Sequence, residues 1–168
     1  MPTFVLFGPP GAGKSTIGKA LSKITGLECF DSDHEIEQRA GKKISEIFVE
    51  NGEAAFRAIE VEVVSDLLRK ESGILALGGG AVMNDKTAAQ LSESKALKVF
   101  LDVGIGQASI RVGFNKDRPM LLVNPRQQWL SLMEKRRPRY EELADLTIST
   151  DSMKPAEVAA KIVEAHHA

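Results

Sequence analysis

The sequence predicts an α/β fold in three layers, with helices flanking a central five-stranded parallel sheet. Three observations predict it. Short apolar runs alternate with helical patterns along the chain, as in successive βαβ units. A glycine-rich turn, Gly8–Ser15, stands between the first apolar run and the first amphipathic pattern. The chain has 168 residues, which at roughly 150 residues per domain makes 1–168 a single domain. A domain of that size buries roughly 70% of its unfolded surface and needs no disulfide or metal staple.

The elements follow in order. Thr3–Phe7 reads as a buried first strand, and Lys14–Thr25 as a helix with Ile17, Leu21 and Ile24 on one face. Leu27–Phe30 is a short second strand. Asp33–Ala40 and Ile44–Glu50 are short helical pieces, followed by a longer helix from Glu53 to Lys70 with Phe56, Ile59, Val63 and Leu67 as its core stripe. Ile74–Leu77 is a third strand ending in Gly78-Gly79-Gly80. Lys86–Ser92 is helical, Leu97–Val103 is a fourth strand, and Ile105–Val112 is helical. Gly113–Asn124 has weak periodicity and is expected to be a mobile loop. Arg126–Leu143 is a helix that Pro138 is expected to bend or break. Leu146–Ser149 is a fifth strand, and Pro155–Ala165 a closing helix with proline in its first turn.

Composition narrows the function classes. A hydrophobic fraction of 43% and a charged fraction of 27% are ordinary for a globular protein. The net charge of -1 argues against binding nucleic acid by bulk electrostatics, so any anion site is local. No apolar run approaches the ~20 residues of a membrane span. The N-terminal residues lack the basic region and cleavage site of a signal peptide. The single cysteine, Cys29, is expected to be a small buried hydrophobe, which agrees with a cytoplasmic location.

Gly8-Pro9-Pro10-Gly11-Ala12-Gly13-Lys14-Ser15 matches G-x-x-x-x-G-K-[ST] without a mismatch, and its strand and helix flanks are the context that pattern requires. Glycines let backbone N–H groups approach phosphate oxygens, and the helix N-terminus adds a positive dipole end. Lys14 is placed to reach the β- and γ-phosphates of a nucleotide, and Ser15 to ligate Mg²⁺. The alternative is a glycine-rich turn with a solvated lysine. The loop leaves the phosphoryl acceptor open. Asn115-Lys116-Asp117-Arg118 fails the guanine-reading N-K-x-D pattern at its fourth position, and the third strand ends in glycines rather than acids. Both disfavour a switch GTPase or an ATPase motor and leave a small-molecule kinase.

Acceptor residues are sought at the carboxyl ends of the strands, where ligands bind in doubly wound sheets. The second strand runs into Asp31-Ser32-Asp33. Asp31 can support the metal and Asp33 can accept the proton of an acceptor hydroxyl, or Asp33 can simply cap the following helix. Arg57 either faces a ligand or is an exposed arginine paired with Glu53 and Glu60. Lys135-Arg136-Arg137-Pro138-Arg139 is a dense basic run expected to face the acceptor's anion or the nucleotide, and otherwise a solvated patch. Arg111 and Arg118 flank the expected lid. His34, His166 and His167 form no metal pattern, and the last two belong to an expected frayed tail.

In order and spacing, GPPGAGKST, DSD, FRAIE, LGGGAV, DRPML and MEKRRPRY resemble shikimate kinases from Phe4 to about Val163. The resemblance implies a P-loop fold related to the nucleoside monophosphate kinases, with a substrate-binding helical segment at about 32–61 and a lid at about 112–124. It implies a cytoplasmic monomer that takes ATP and shikimate, uses Mg²⁺, and phosphorylates the 3-hydroxyl of shikimate on the way to aromatic amino acids. It also implies roles. Gly11, Ala12, Gly13, Lys14, Ser15 and Thr16 contact the nucleotide, and Arg111 packs against adenine. Arg118 is the lid arginine reaching the phosphates. Ser15 and Asp31 serve the metal. Asp33 binds the acceptor hydroxyls and acts as base, Arg57 and Arg136 hold its carboxylate, and Gly79 and Gly80 contact it through the backbone. The chain departs from many relatives near the adenine, where it has Ser152 or Met153 in place of a basic residue. A gluconate kinase of the same fold, or a nucleotide-binding module acting through a partner, are the competing readings.

Overall fold

The computed structural model describes residues 2–112 and 124–168. Its centre is β1 (Phe4–Phe7), buried at every position. A strand buried on both faces reads as a continuous apolar run, and FVLF is one. β1 lies between β3 (Ile74–Ala76) and β4 (Leu97–Asp102), with β2 (Cys29–Asp31) and β5 (Leu146–Ser149) at the edges, giving the order β2-β3-β1-β4-β5. Every pairing is parallel, with Phe4 opposite Ile74 on one side and Leu97 on the other. The connection that leaves β1 runs toward the β2 edge, and the one that leaves β3 runs the opposite way, past β1 to β4. That makes the carboxyl ends of β1 and β3 the crevice where such sheets bind ligands.

Helices α1 (Lys14–Thr25) and α7 (Pro155–His167) pack on each other, and α1 also lies against β1, β2 and β3. A second group comprises α3 (Ile44–Leu68), α4 (Asp85–Glu93) and α6 (Pro125–Leu143), with α6 on β4. α2 (Ser32–Ala40) packs against α3, and α5 (Ile105–Val112) against α6. On α1, Ile17 and Leu21 supply the buried stripe, while Ile24 is half exposed instead of joining it. Phe7, Phe100 and Tyr140 form an aromatic cluster where α6 meets the sheet, with ring centroids 5.0 to 6.4 Å apart.

The fold class and the order of elements agree with expectation, as do the two helical pieces on either side of Gly52, the arms of α3, which a non-helical Gly52 at φ 85, ψ 169 separates. Three details differ. The second strand begins later and includes Asp31. Pro138 does not end α6, because it lies on the exposed side, where water can satisfy the carbonyl its ring leaves unpaired. The C-terminal histidines are no frayed tail: α7 runs through His167, and the His166 ring meets Phe4 edge-on at 4.9 Å. Residues 113–123 of the expected mobile loop lie outside the described residues.

Candidate active site

The phosphate loop joins β1 to α1. It begins with a close approach, since a Cβ on Gly8 would fall 2.3 Å from the Leu101 carbonyl oxygen, so no other residue fits. Every carbonyl from Gly8 to Gly13 has a protein donor. Lys14 Nζ arches back to those of Gly8 (2.8 Å) and Pro9 (3.0 Å). Trp129 Nε1–H donates to Pro10 at 2.9 Å. Arg111 donates to Gly11 at 3.1 Å, Thr150 Oγ1 to Ala12 at 3.1 Å, and the Ile17 N–H to Gly13 at 2.8 Å. In a trans peptide the following N–H points opposite to the carbonyl. A donor that holds a carbonyl therefore turns the following N–H the opposite way, as an anion cradle requires, while the Ala12 N–H turns back to the Pro9 carbonyl at 3.2 Å.

Ser15, in the first turn of α1, donates through Oγ to Asp31 Oδ2. The other oxygen of Asp31 accepts the N–H groups of Asp33 (2.9 Å) and His34 (3.3 Å), making Asp31 the N-cap of α2. This overturns the capping alternative for Asp33. The cap lies two residues earlier, and Asp33 sits inside the first helical turn. Ser15 and Asp31, expected to serve a metal together, are in contact. A hydroxyl beside a carboxylate, next to a phosphate cradle, is the hard-oxygen donor set that fits Mg²⁺.

The residues expected to bind the acceptor converge on the glycine run after β3. A Cβ on Gly78 would fall 2.6 Å from Asp33 Oδ1, one on Gly79 3.1 Å from an Arg136 guanidinium nitrogen, and one on Gly80 2.7 Å from Arg57. The run therefore has no side chains because three charged side chains occupy that space. It also runs beside the phosphate loop, since the same Cβ on Gly79 would fall 3.4 Å from Pro10 and 3.5 Å from the Gly8 carbonyl oxygen. Ser32 Oγ, fully buried, accepts the Gly78 N–H at 2.8 Å, and Tyr140 donates its hydroxyl to the Gly79 carbonyl, holding the strip from both sides. A cavity of about 370 Å³ opens beside it, lined by Arg57, Glu60, Gly80, Asn84, Lys135 and Arg136 among others.

The ion pairs expected of Arg57 form, but its side chain is half-buried and not exposed. It pairs with Glu60 at 2.7 Å and Glu53 at 3.6 Å while lining the cavity. Glu60 is the carboxylate that the sequence reading did not place in the site. Its side chain is only 4% exposed, one oxygen binds Arg57, and the other has no hydrogen bond among the described residues. Burial pushes its carboxyl above the ordinary glutamate value, against the pull of Arg57 and with a further push from Asp33.

Only part of the basic run faces the site. Arg136 is buried in it, and Lys135 lines the cavity. Arg137 instead makes a two-pronged pair with Asp102 (2.9 and 3.0 Å), and Arg139 binds Asp85 and the Val82 carbonyl. A helix turns by 100° per residue, so adjacent arginines must face different partners. On the other flank of the phosphate loop, a cavity of about 220 Å³ is lined by Gly13, Thr16, Arg111, Thr150, Met153 and Pro155. Met153, and not Ser152, is the residue of the departing stretch that lines this cavity. Arg118 lies outside the described residues.

The sequence reading missed Glu60, Trp129, Tyr140 and Thr150. Each looked like a core or surface residue in its own segment. The available signal was periodicity: Trp129, Met133, Arg136 and Tyr140 follow one face of α6, and one of them was already a candidate.

The model of the shikimate kinase family matches residues 10–167. A shikimate kinase of Thermobifida fusca is 48% identical over 163 residues, spanning 97% of this chain and 94% of that protein. Among solved structures, the shikimate kinase of Acinetobacter baumannii in complex with shikimate superposes with a TM-score of 0.94 at 37% identity, covering 98% of this chain and 92% of that one. The Aquifex aeolicus shikimate kinase gives a TM-score of 0.85 at 34% identity, covering 99% and 96%. With most of its length matched by the family model and nearly all of it by these relatives, the chain belongs to the shikimate kinase family.

Proposed function

We propose that this chain transfers the γ-phosphate of ATP to the 3-hydroxyl of shikimate, giving shikimate 3-phosphate and ADP, in aromatic amino acid biosynthesis. The observation that carries this reading is the convergence of Asp33, Arg136 and Arg57 on Gly78-Gly79-Gly80, in contact with the phosphate loop. An acceptor with one carboxylate and several hydroxyls uses all of those groups. Arginine forks donate paired hydrogen bonds to a planar carboxylate, and an aspartate accepts from hydroxyls.

The nucleotide phosphates lie in the loop's cradle of N–H groups, with Lys14 turning to the β- and γ-phosphates and Arg111 and Met153 on the adenine side. Arg57 and Arg136 hold the acceptor carboxylate, Gly79 and Gly80 approach it through the backbone, and residues 32–61 form the acceptor-binding segment. Asp33 takes the hydroxyl proton as the oxygen bonds to the γ-phosphorus and the bond to the β-phosphate oxygen breaks. Ser15 and Asp31 would hold Mg²⁺, which supplies charge neutralisation on the phosphates when bound. One chain provides all these residues, so a monomer suffices. No helix among the described residues is long and apolar enough to cross a membrane, and a cytoplasmic site of action agrees with the supply of ATP.

A coupled ADP-release assay with shikimate, gluconate, a nucleoside monophosphate and no acceptor tests the reading. ADP release that requires shikimate supports it. Faster turnover with gluconate, or release independent of any acceptor, would reject it.

A further inference from the structure

We propose that Trp129 is a positioning residue of the phosphate loop, acting on the nucleotide through the Pro10–Gly11 peptide; this rests on the reading of Gly8–Ser15 as the ATP site.

Trp129 is the chain's single tryptophan and is 3% exposed. It stands in the second turn of α6, far in sequence from the loop, and its Nε1–H donates to the Pro10 carbonyl at 2.9 Å. Among the described residues it is the donor that Pro10 has. The neighbouring carbonyls are held by Lys14, Arg111, Thr150 and the α1 backbone, so Pro10 is the position where α6 takes over the task. The peptide is planar and trans. Fixing the Pro10 carbonyl toward α6 therefore fixes the Gly11 N–H in the opposite direction. Gly11 is at φ 86, in the left-handed region, so this peptide would otherwise be free to rotate at its glycine end. Proline removes the N–H of residue 10 itself, which makes the Gly11 N–H the first donor after Gly8 that the loop can offer.

A Cβ built on Gly79 would fall 3.4 Å from Pro10 and 3.1 Å from Arg136, so the residue that Trp129 holds and the guanidinium of Arg136 adjoin the same glycine. Arg136 lies on the same face of α6, two turns beyond Trp129. One helix thus holds the loop through an indole and faces the acceptor through a guanidinium.

Two measurements test the proposal. Trp129→Phe removes the donor, and β-(3-benzothienyl)alanine, with sulfur in place of the indole N–H, removes it without changing shape. Incorporation of the analogue is site-specific because the chain has one tryptophan. Both are expected to lower kcat/KM for ATP by about ten-fold, with the shikimate KM within about two-fold of the parent. A folded analogue protein with unchanged ATP kinetics would overturn the proposal, as a merely structural tryptophan predicts. If either protein fails to fold, the unmodified chain decides. Labelled with ¹⁵N-tryptophan, it gives one indole N–H signal, which ADP is expected to shift and protect from exchange. ADP binding by calorimetry with a silent indole signal overturns the role of Trp129 alone, whereas no ADP binding at all overturns the ATP-site reading beneath it.

Discussion

The two halves of the site are built in opposite ways. The nucleotide half is one contiguous loop whose carbonyls are all pinned by protein donors, two of them by its own Lys14. The acceptor half draws on separate segments, α2 for Asp33, α3 for Arg57 and Glu60, the strip after β3, and α6 for Arg136, and it keeps a buried carboxylate oxygen without a hydrogen bond among the described residues. The phosphate cradle depends on backbone geometry, which a short motif can encode. Acceptor recognition depends on charge, which only the fold can assemble.

The largest expected effect falls between the halves, on Asp33, the group proposed to accept the transferred proton. Asp33→Asn keeps shape and removes charge, and kcat is expected to fall by roughly 10²–10⁴-fold. Because Asp31 is the cap of α2, the variant is expected to melt near the parent temperature. Parent-like turnover would strike out the base role. In the nucleotide half, Lys14→Ala is expected to lower turnover by roughly 10²–10³-fold with the fold intact, on the proposal that the lysine serves phosphate charge. Near-normal activity at saturating ATP would move the phosphate site elsewhere.

In the acceptor half, Arg57→Ala and Arg136→Ala are each expected to raise the shikimate KM about ten- to a hundred-fold and to move the ATP KM much less. The double variant is expected to cost less than the two effects combined, since both residues address one group. Equal effects on both KM values would erase the distinction between the halves.

The smallest effect concerns Cys29, at the edge of the sheet beneath α1. Burial, with help from Asp31, pushes its thiol up from 9.0 to about 11. Alkylation at pH 8 is therefore expected to be slower than for a free thiol. The unfolded chain gives up this proton first, so the stabilisation is complete below about pH 9 and is lost as pH rises toward about 11. Cys29→Ser should flatten stability in that window, as read by denaturant titration at several pH values, and an unchanged slope would count against the shift.

The same contrast explains what was legible. The strands, α1 and the phosphate loop could be read from local pattern because backbone requirements repeat at fixed spacing. Asp33, Arg57 and Arg136 had bland local readings and became a set only by family resemblance. Glu60 escaped because an i,i+3 partner of Arg57 looks like a surface ion pair, and only the packed core shows that it is buried. Trp129 escaped because nothing in the sequence of α6 points to a carbonyl on a loop it contacts in space. The capping role went to the wrong aspartate because DSD offers two candidates and the end of β2 decides between them.

The central claim is that Arg57 and Arg136 form one clamp for one carboxylate. It is tested most directly by comparing shikimate with its neutral carboxamide in the parent and in each arginine variant. The parent should use the amide about ten- to a hundred-fold less efficiently than shikimate, and either variant should lose much less further efficiency on the amide than on the acid. An amide phosphorylated by the parent as efficiently as shikimate would contradict the clamp, and with it the physical basis for the acceptor.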